Sequence, residues 1–359
     1  MKIDKSELIQ KLNMLEKVIP TKPSIACMEG ILVRDGRLCA NNLQNAISIA
    51  TPESDGENFI LPKKAIAMLK SMPDGLVRIT PQNDNSIIIN AGSIRTKMNS
   101  FAPDDFPENY ILEDCQETTL DFVELAGMLA NVAYATSTNE SRPVHTGVLM
   151  EGDGENLNVV ACDGYRCSWA HTPYDGEIKF VIPKPTVKLL LSIKEDGKIS
   201  IQTKGEKAVF RIGDCEIHSR LLSGSFLEYR RVFPDRQHSV GVDRKSLLDS
   251  MSRIMICSDD AHKGKVEMEC IRNTMQIRCR GSAAEYMEEL EVTDSFSTDL
   301  RIMFNSAFFV DALRSYDCTV IDCTVIDCFF GEQGTQPLVL DDGQLKSMIL
   351  PVRMSEEQK

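Results

Sequence analysis

The sequence predicts an α+β fold of three similar domains, in each of which two helices pack on antiparallel sheets. Two sets of similar segments recur along the chain and carry this prediction. In the first set, apolar residues at helical spacing occur in ELIQKLNMLEKVIP, ELAGMLANVAYATS and SLLDSMSRIMICSD, which start at Glu7, Glu124 and Ser246. In the second set, an alternating strand runs into a helix, in FILPKKAIAMLKSM, FVIPKPTVKLLLSI and RIMFNSAFFVDALRSY.

The spacing of the second set indicates that a whole domain is repeated. Its strands run into Pro62, Pro183 and Asn305, residue types that suit the first helical turn or the helix cap. A period of about 120 residues is that of a domain rather than of a solenoid repeat. The equivalent residues just before each helix, 121 and 122 positions apart, are Leu61, Ile182 and Phe304.

Short alternating runs with turn residues between them predict β-hairpins. Examples are GILVRDGRLCANN, GVLMEGDGENLNVVA and KISIQTKGEKAVFRIG. Each repeat then holds two helices and about eight strands. We expect domain boundaries near residues 117 and 240, at DCQET and DRQHSV, which gives domains 1–117, 118–240 and 241–359.

The composition is that of a globular protein inside the cell. Charged residues make up 26% and hydrophobic residues 42% of the 359 positions. No apolar run approaches the roughly 20 residues of a membrane span, and a charged helix starts at once where a signal peptide would lie. We therefore expect a cytoplasmic protein. The net charge of −13 argues, taken alone, against a nucleic-acid partner.

The cysteines do not predict a metal site or a cofactor. The chain has 12 of them, none in a CxxC pair, which in a reducing compartment are best interpreted as small hydrophobic residues. The pentad DCTVI occurs twice in tandem within 317–328. The five-residue spacing of Cys318, Cys323 and Cys328 puts them on alternating faces of a strand, so we expect a duplication that lengthens a loop.

Motifs of catalysis are missing from the sequence, and we expect that the chain is not an enzyme. It has no GxxxxGK[ST], no GxGxxG after a strand and no GxSxG. Asp104 and Asp105 fall in a proline-rich connector that reads as a solvated turn. One alternative stays open, a hydrolase on the triplicated scaffold that uses His171 or Asp163. The five histidines, which share no metal-ligand spacing, are His145, His171, His218, His238 and His262.

Five features in register along the whole chain resemble the bacterial DNA sliding clamps, the β subunits of DNA polymerase III. They are the triplicated unit and the segments RPVHTGVLME, ACDGYRCSWA, GSFLEYRRVFP and SMILPVRM. The resemblance implies a DNA-clamp fold, in which two chains join head to tail into a ring of six domains around duplex DNA. It also implies a homodimer that tethers the polymerase III catalytic subunit, is opened by an ATP-driven clamp loader, binds further clamp-binding peptides, and needs no cofactor.

The distribution of charge agrees with such a ring. The six segments expected to line its hole, 5–18, 62–71, 120–133, 184–194, 243–254 and 305–316, carry a net charge of +6, so the rest of the chain carries −19. Binding would be sequence-independent and made through phosphates. The plainer interpretation is that these lysines only solvate helix surfaces. The resemblance implies DNA contacts at Lys22, Lys63, Lys64, Lys70, Lys184, Lys188 and Arg142.

The stretch ACDGYRCSWA, residues 161–170, predicts a hairpin turn at Asp163-Gly164. The resemblance implies that this hairpin, the FLEYRRV segment and the C-terminal strand form an apolar groove for short extended peptides. Arg142, Arg166, Arg231 and Arg353 would donate hydrogen bonds there. The implied groove residues are Cys162, Gly164, Tyr165, Arg166, Cys167, Leu227, Arg231, Val232, Thr335, Pro337, Met348, Leu350, Pro351, Val352, Arg353 and Met354.

Some residues depart from the family's usual pattern at this groove. Leu227 stands where proline is usual, Cys167 where leucine is usual, Cys162 often replaces threonine, and His145 often replaces leucine. Lost methylene groups would enlarge or soften the pocket. The tail SEEQK, 355–359, also runs beyond the point where many relatives end, and could shade the groove.

The resemblance places the contact between the two chains at Met98 of one copy and at Ile256 and Cys257 of the other. Unlike surfaces joined head to tail close into a ring only when the rotation closes. Three nearly equal domains in each chain make that closure natural. A further alternative is a clamp-like interaction protein that does not encircle DNA.

Overall fold

The computed structural model describes residues 1–235, 238–257, 264–271, 273–281, 284–293, 301–316, 325–330 and 337–352. The fold is α+β, as predicted, and the order strand, helix, four strands, helix, three strands occurs three times in succession. No helix of the described residues is long and apolar enough to cross a membrane. The helices are α1 (Lys5–Leu15), α2 (Lys63–Ser71), α3 (Phe122–Val132), α4 (Lys184–Leu190), α5 (Arg244–Cys257) and α6 (Ser306–Ser315).

The described residues form two compact units. The first contains Met1–Ala126 and Pro185–Leu221, and the second contains Gly127–Lys184 and the described residues from Leu222 onward. Each unit combines strands from more than one of the three repeats. The predicted domain boundaries near residues 117 and 240 stay predictions.

The first unit holds two antiparallel sheets. In the larger one, β4 of the first repeat pairs with β16 of the second, so that Ile47 lies opposite Ile217. Its strands, in spatial order, are β5 (Asn58–Pro62), β2 (Gly30–Arg34), β3 (Arg37–Asn41), β4 (Asn45–Ala50), β16 (Cys215–Arg220), β15 (Lys207–Ile212), β14 (Lys198–Lys204) and β9 (Gln116–Asp121). The strands of the smaller sheet, in order, are β1 (Lys2–Asp4), β6 (Leu76–Pro81), β7 (Ser86–Ala91) and β8 (Ile94–Asn99).

The second unit holds one antiparallel sheet of twelve described strands. Here β12 of the second repeat pairs with β24 of the third, so that Cys167 lies opposite Met348. The strands, in spatial order, are β13 (Glu177–Pro183), β10 (Gly147–Asp153), β11 (Asn156–Cys162), β12 (Arg166–Pro173), β24 (Leu345–Ile349), β23 (Leu338–Asp341), β22 (Val325–Phe330), β17 (His238–Asp243), β20 (Glu285–Thr293), β19 (Thr274–Arg280), β18 (Lys265–Ile271) and β21 (Arg301–Asn305).

The first helix of each repeat begins after an aspartate. The carboxylates of Asp4, Asp121 and Asp243 accept backbone N–H groups of the first turns of α1, α3 and α5 at 2.8, 3.0 and 2.7 Å. Such a cap satisfies a donor that the helix itself cannot pair and contributes typically about 1 kcal/mol. The recurrence of the same cap explains why these three segments start at equivalent positions.

The second helix of each repeat begins differently. Pro62 and Pro183 end strands and lie one residue before α2 and α4, rather than inside the first helical turn as expected. Asn305 caps α6, and its side chain accepts the backbone N–H of Ala307 at 3.0 Å. Leu61, Ile182 and Phe304 are all fully buried, as equivalent core positions should be.

The duplicated DCTVI segment lies mostly outside the described residues, which resume at Val325. Cys328 is described, is buried, and lies on β22 opposite Val240 of β17 and Leu340 of β23. The expected loop, with Cys318 and Cys323, falls outside the described part.

Candidate functional site

The turn between β11 and β12 is fixed by its own aspartate. Asp163 Oδ1 accepts the backbone N–H groups of Tyr165 and Arg166 at 2.9 and 3.0 Å. Gly164 has a φ of +94°, which side chains other than glycine rarely adopt. The Tyr165 ring is 66% exposed, while its carbonyl oxygen accepts the N–H of Leu350 at 2.9 Å. The turn is therefore rigid and is joined to the chain that follows β24.

Arg166 anchors this turn to two other elements. Its Nε donates to Asp163 Oδ2 at 3.0 Å, its Nη1 to Asp311 Oδ2 at 2.7 Å, and its Nη2 to the carbonyl oxygen of Tyr134 at 3.2 Å. The guanidinium also lies 4.5 Å from the ring centre of Phe308 on α6, and the side chain is only 12% exposed. All three guanidinium nitrogens donate within the protein, so Arg166 holds the turn in place against its neighbours.

An apolar cluster lies beside this turn and unites residues from three parts of the second unit. Five of the predicted groove residues belong to it, namely Cys162, Cys167, Val232, Met348 and Leu350. We call it the groove cluster. Its full set is Val144, Leu149, Val160, Cys162, Cys167, Val181, Phe226, Tyr229, Val339 and Met348, with the partly buried Trp169, Leu222, Val232, Phe233 and Leu350.

Sequence reasoning missed the aromatic part of the groove cluster. The Trp169 ring lies 5.1 Å from Tyr229 and 5.5 Å from Phe233, centre to centre, and its Nε1 donates to Asn158 Oδ1 at 2.9 Å. Trp169 lies two residues after Cys167 on β12, so strand alternation places both on one face. That spacing is the signal that could have assigned the only tryptophan of the chain to the groove.

The FLEYRRV segment is held mainly by one half-buried carboxylate, that of Glu151. Glu151 Oε2 accepts the hydroxyl of Tyr229 and Nη1 of Arg230, and Oε1 accepts Nζ of Lys179, each at 2.7 Å. Burial raises the pKa of Tyr229, and the neighbouring Glu151 charge raises it further. Burial opposes ionisation of Glu151 as well, but its three hydrogen bonds outweigh burial and lower the pKa of this carboxyl.

The remaining predicted groove residues are more exposed. Tyr165, Gly164, Leu227 and Arg231 are exposed. Pro337, Pro351 and Val352 are half-buried, and the N–H of Val352 donates to the carbonyl oxygen of Met303 at 2.7 Å. The predicted residues Thr335, Arg353 and Met354, and the SEEQK tail, lie outside the described residues.

The predicted DNA-contact residues of α2 lie at both ends of that helix. Lys63 and Lys64 are exposed in its first turn, which has no acidic residue and no side-chain cap. The unpaired N–H groups and the helix dipole add to their positive charge. Lys70 differs, because its Nζ forms an ion pair with Glu16 of α1.

The other predicted basic contacts have varied surroundings. Lys22 is exposed after α1, and Lys188 is exposed on α4, whereas Lys184 at the start of α4 is half-buried. Arg142 is exposed and precedes the short 3₁₀ helix Pro143–Thr146.

The residues predicted at the contact between chains lie at the end of α5 and on β8. Ile256 is 83% exposed at the end of α5, and Cys257 beside it is half-buried. Met98 is half-buried on β8, an end strand of its sheet among the described residues. Met287 of β20, which the sequence did not single out, is 57% exposed.

The residues suggested for hydrolysis are poorly placed for it. Asp163 uses both carboxylate oxygens for the turn and Arg166. His171 packs on Trp169 with ring centres 5.6 Å apart, and burial together with the Lys346 charge lowers its pKa. Within the described ranges, no group of three or more His, Cys, Asp or Glu side chains could hold a metal ion.

Three family models together match almost the entire chain. Residues 1–110, 119–228 and 230–353 match the N-terminal, central and C-terminal domains of the DNA polymerase III beta subunit. The chain is 26% identical to the beta sliding clamp of Halalkalibacterium halodurans over 346 residues, which cover 88% of this chain and 90% of the relative. It is 22% identical to that of Salmonella typhimurium over 338 residues, covering 89% and 91%.

Solved structures have the same fold. The DNA polymerase III beta subunit of Thermotoga maritima is 25% identical, with a TM-score of 0.87 and 99% of each chain covered. The beta subunit from the DNA polymerase of Streptococcus pyogenes is 21% identical, with a TM-score of 0.89, and 98% of this chain and 99% of that chain are covered.

Proposed function

The chain belongs to the DNA polymerase III beta subunit family and is a DNA sliding clamp, and on this premise we propose that two copies close head to tail into a ring around duplex DNA. The family is non-catalytic, and we propose that this chain likewise acts without catalysis or a cofactor. Its proposed partners are duplex DNA, the polymerase III catalytic subunit, the clamp loader and other proteins with clamp-binding peptides. We place it in the cytoplasm, where bacterial DNA is replicated. We also propose three domains, divided near residues 117 and 240.

The proposed ring rests on one observation, the pairing of strands between successive repeats. The strand β4 of the first repeat pairs with β16, the last strand of the second. In the same way β12 of the second repeat pairs with β24, the last strand of the third. The strand of the third repeat that is equivalent to β4 and β12 is β20, and the last strand of the first repeat is β8. These two strands have no such partner within the described residues of one chain. A contact between β20 of one copy and β8 of the other continues the series and closes two copies head to tail.

Both strands offer an edge for such pairing. Along β20, residues 285–291 have β19 as their only partner strand among the described residues, because β17 meets only Val292 and Thr293. β8 is paired with β7 alone in the described part. Exposed pairing edges of this kind are a liability unless another chain covers them.

The register of the contact follows from the two joints inside the chain. Ile49 of β4 lies opposite Cys215, and Ala170 of β12 lies opposite Leu345. The first paired residues after the hairpin turns that precede β4, β12 and β20 are Ala46, Cys167 and Glu285. Ile49 and Ala170 each lie three residues after that first residue. The equivalent residue on β20 is Glu288. Cys215 and Leu345 each follow a positive-φ glycine by two residues, and Ile94 holds that place on β8. We therefore propose that Ile94 of one copy pairs with Glu288 of the other, and Arg95 with Met287.

Exposed apolar side chains near both edges support the same contact. Met255, Ile256 and Met287 are 45%, 83% and 57% exposed on α5 and β20, and Ile94 is 37% exposed on β8. Burying such residues between subunits removes apolar surface from water.

Light scattering tests the ring directly. The native protein should have twice the chain mass of 40.1 kDa, and Ile256→Arg should lower the mass to that of one chain. Ile111→Arg is the matched control, because Ile111 is 84% exposed but lies in the connector between β8 and β9. A native protein of single-chain mass, or equal effects of the two variants, would exclude the proposed contact.

The groove cluster is proposed as the docking site for partner peptides. Its buried floor includes Cys162, Cys167 and Met348, and the exposed Tyr165, Leu227 and Arg231 surround it. Peptide sites combine apolar anchors with a few placed polar groups. We propose that Arg231, whose side chain is exposed, donates to the peptide, whereas Arg166 positions the wall. Thr335, Pro337, Pro351, Val352, Arg353 and Met354 complete the proposed site.

The contacts with DNA are proposed at Lys22, Lys63, Lys64, Lys184, Lys188 and Arg142, through phosphates. Lys63 and Lys64 are best supported, because they extend from a helix start that has no side-chain cap. Lys70 is expected to contribute less, since Glu16 already neutralises its charge.

A further inference from the structure

Cys162 and Cys167 face each other across the hairpin that forms the groove wall. They are directly opposite in the antiparallel pairing of β11 and β12, immediately before the turn. Their side chains are 4% and 0% exposed, and both thiols are free.

The backbone geometry at this pair suits a disulfide. The N–H of Asp163 donates to the carbonyl oxygen of Arg166 at 3.2 Å, which makes these two residues a hydrogen-bonded pair. Hydrogen-bonded and non-hydrogen-bonded pairs alternate along antiparallel strands, so Cys162 and Cys167 form a pair of the closer type, with Cα atoms about 4.5 Å apart. Disulfides need Cα atoms roughly 4.4–6.8 Å apart and side chains on one face, and directly opposite residues share a face.

The two thiols already interact with each other. The neighbouring Cys167 thiol lowers the pKa of Cys162, whereas its pairing with Cys162 and its burial raise the pKa of Cys167. Buried cysteines elsewhere behave differently, since burial raises the pKa of Cys215 and of Cys270 to about 12. Because the thiolate is the reactive form, the lowered pKa makes Cys162, rather than Cys167, the attacking thiol of this pair.

We propose that Cys162 and Cys167 are a reversible dithiol–disulfide site, and that the disulfide weakens peptide docking in the groove. Hydrogen peroxide, a molecule small enough to reach side chains at the groove floor, is the oxidant. The Cys162 thiolate attacks one peroxide oxygen, the O–O bond breaks, and Cys162 sulfenic acid and hydroxide form. The Cys167 sulfur then attacks the sulfenic sulfur, the S–O bond breaks, and the disulfide and one water form.

The consequence for docking rests on the function proposed for the groove. Bond formation draws the two sulfurs from van der Waals separation to about 2.05 Å. Both belong to the same cluster as Met348 and Val232, and Met348 lies opposite Cys167 on β24. The movement therefore changes the floor on which a peptide anchor would rest. Displacing one well-packed anchor weakens binding by about tenfold.

Peptide mapping of the full-length protein tests the disulfide itself. Trypsin cleaves after Arg166 and so separates the two cysteines, unless a disulfide joins their peptides. After peroxide treatment and alkylation of the remaining thiols, we expect the joined peptides, and their release by dithiothreitol. Cys215→Ser, which removes another buried thiol, should leave the joined peptides unchanged, and Cys162→Thr should abolish them. Alkylated or over-oxidised cysteines without a joined product would overturn the proposal.

Fluorescence of Trp169, the only tryptophan, then reports on the groove. The probe is a synthetic extended peptide with one glutamine followed by leucine and phenylalanine. We expect its Kd to rise about tenfold on oxidation of the native protein and to stay constant for Cys162→Thr and Cys167→Ser. An unchanged Kd despite complete disulfide formation would overturn the claim that the disulfide weakens peptide docking. Failure of the reduced protein to bind any such peptide would instead count against the groove function, and mapping would still decide the disulfide.

Discussion

The Arg166 guanidinium donates a 2.7 Å hydrogen bond to the carboxylate of Asp311, and so joins the β11–β12 turn to α6. The same side chain binds Asp163 and the carbonyl oxygen of Tyr134. One residue thus connects the second repeat, which supplies the turn, to the third repeat, which supplies the helix. This connection explains why an arginine next to a hairpin tip is mostly buried.

Replacing Arg166 should therefore loosen the groove wall. Arg166→Ala leaves Asp163 and the Tyr134 carbonyl without their charged donor, and such hydrogen bonds contribute roughly 1.5–3 kcal/mol. We expect the free energy of unfolding, measured in urea, to fall by about 2 kcal/mol, and peptide affinity to fall with it. Arg231→Ala, at an exposed arginine of the same groove, should reduce peptide affinity without loss of stability. Equal stability of the two variants would contradict the positioning role.

A cavity at Met348 should affect binding as well as stability. Met348→Ala truncates a residue of the groove cluster that is 4% exposed, at an expected cost of about 2–5 kcal/mol. Met275→Ala, at a fully buried methionine of β19 outside the cluster, should cost a similar amount. Only Met348→Ala should lower peptide affinity in a fluorescence titration. If both variants bind peptide alike, the groove does not use Met348.

The repeat pattern was readable from the sequence because its signals are local. Apolar residues at helical spacing and alternating strands depend only on neighbouring residues, and Asn305 caps α6 within one helical turn. The Arg166–Asp311 hydrogen bond could not be predicted from the sequence, because its two residues are 145 positions apart. For the same reason the sequence alone did not show that Arg166 binds Asp163, Asp311 and the Tyr134 carbonyl within the protein. The aromatic groove residues were missed because Trp169, Tyr229 and Phe233 meet only after β12 and the FLEYRRV segment have packed together.

The two lysines at the start of α2 should set part of the salt dependence of DNA binding. Removing one lysine–phosphate interaction reduces the slope of log K against log salt by about 0.9. Lys63→Ala with Lys64→Ala should therefore lower the slope by about one to two, measured by anisotropy on duplex DNA. Lys198→Ala with Lys204→Ala removes the same charge from exposed positions on β14 and should change the slope little. Equal slopes for the two double variants would contradict DNA binding at α2.

Acid should destabilise the first unit partly through Glu216. The contact of Glu216 Oε1 with His218 Nε2 at 2.6 Å, together with the hydrogen bond from Arg211, lowers the pKa of Glu216 to about 2 despite burial. A carboxyl whose pKa is lower in the folded than in the unfolded protein stabilises the folded state at pH values above its unfolded pKa. This stabilisation is lost as the pH falls from the unfolded pKa through the folded pKa. The contribution, at most about 3 kcal/mol, should disappear between pH of roughly 4.5 and 2.

Urea unfolding at a series of pH values measures this loss. The free energy of unfolding of Glu216→Gln should be lower than that of the native protein at neutral pH and should approach it near pH 3. Glu53→Gln, at an exposed carboxyl of the same unit, should follow the native curve throughout. A difference between native protein and Glu216→Gln that does not shrink in acid would contradict the assigned titration.

Disulfide trapping should decide the register proposed between copies. Arg95 and Met287 are exposed on β8 and β20. In the proposed dimer, which repeats the two joints inside the chain, they are directly opposite each other. Arg95→Cys with Met287→Cys should therefore give covalent dimers on mild oxidation, since opposite residues bring their Cβ atoms within about 5.5 Å. Arg95→Cys with Glu285→Cys is two residues out of register, which should make trapping far slower. The native protein, with its own cysteines, sets the background. Faster trapping of the second pair would mean that β8 and β20 do not pair in the register of β4–β16 and β12–β24.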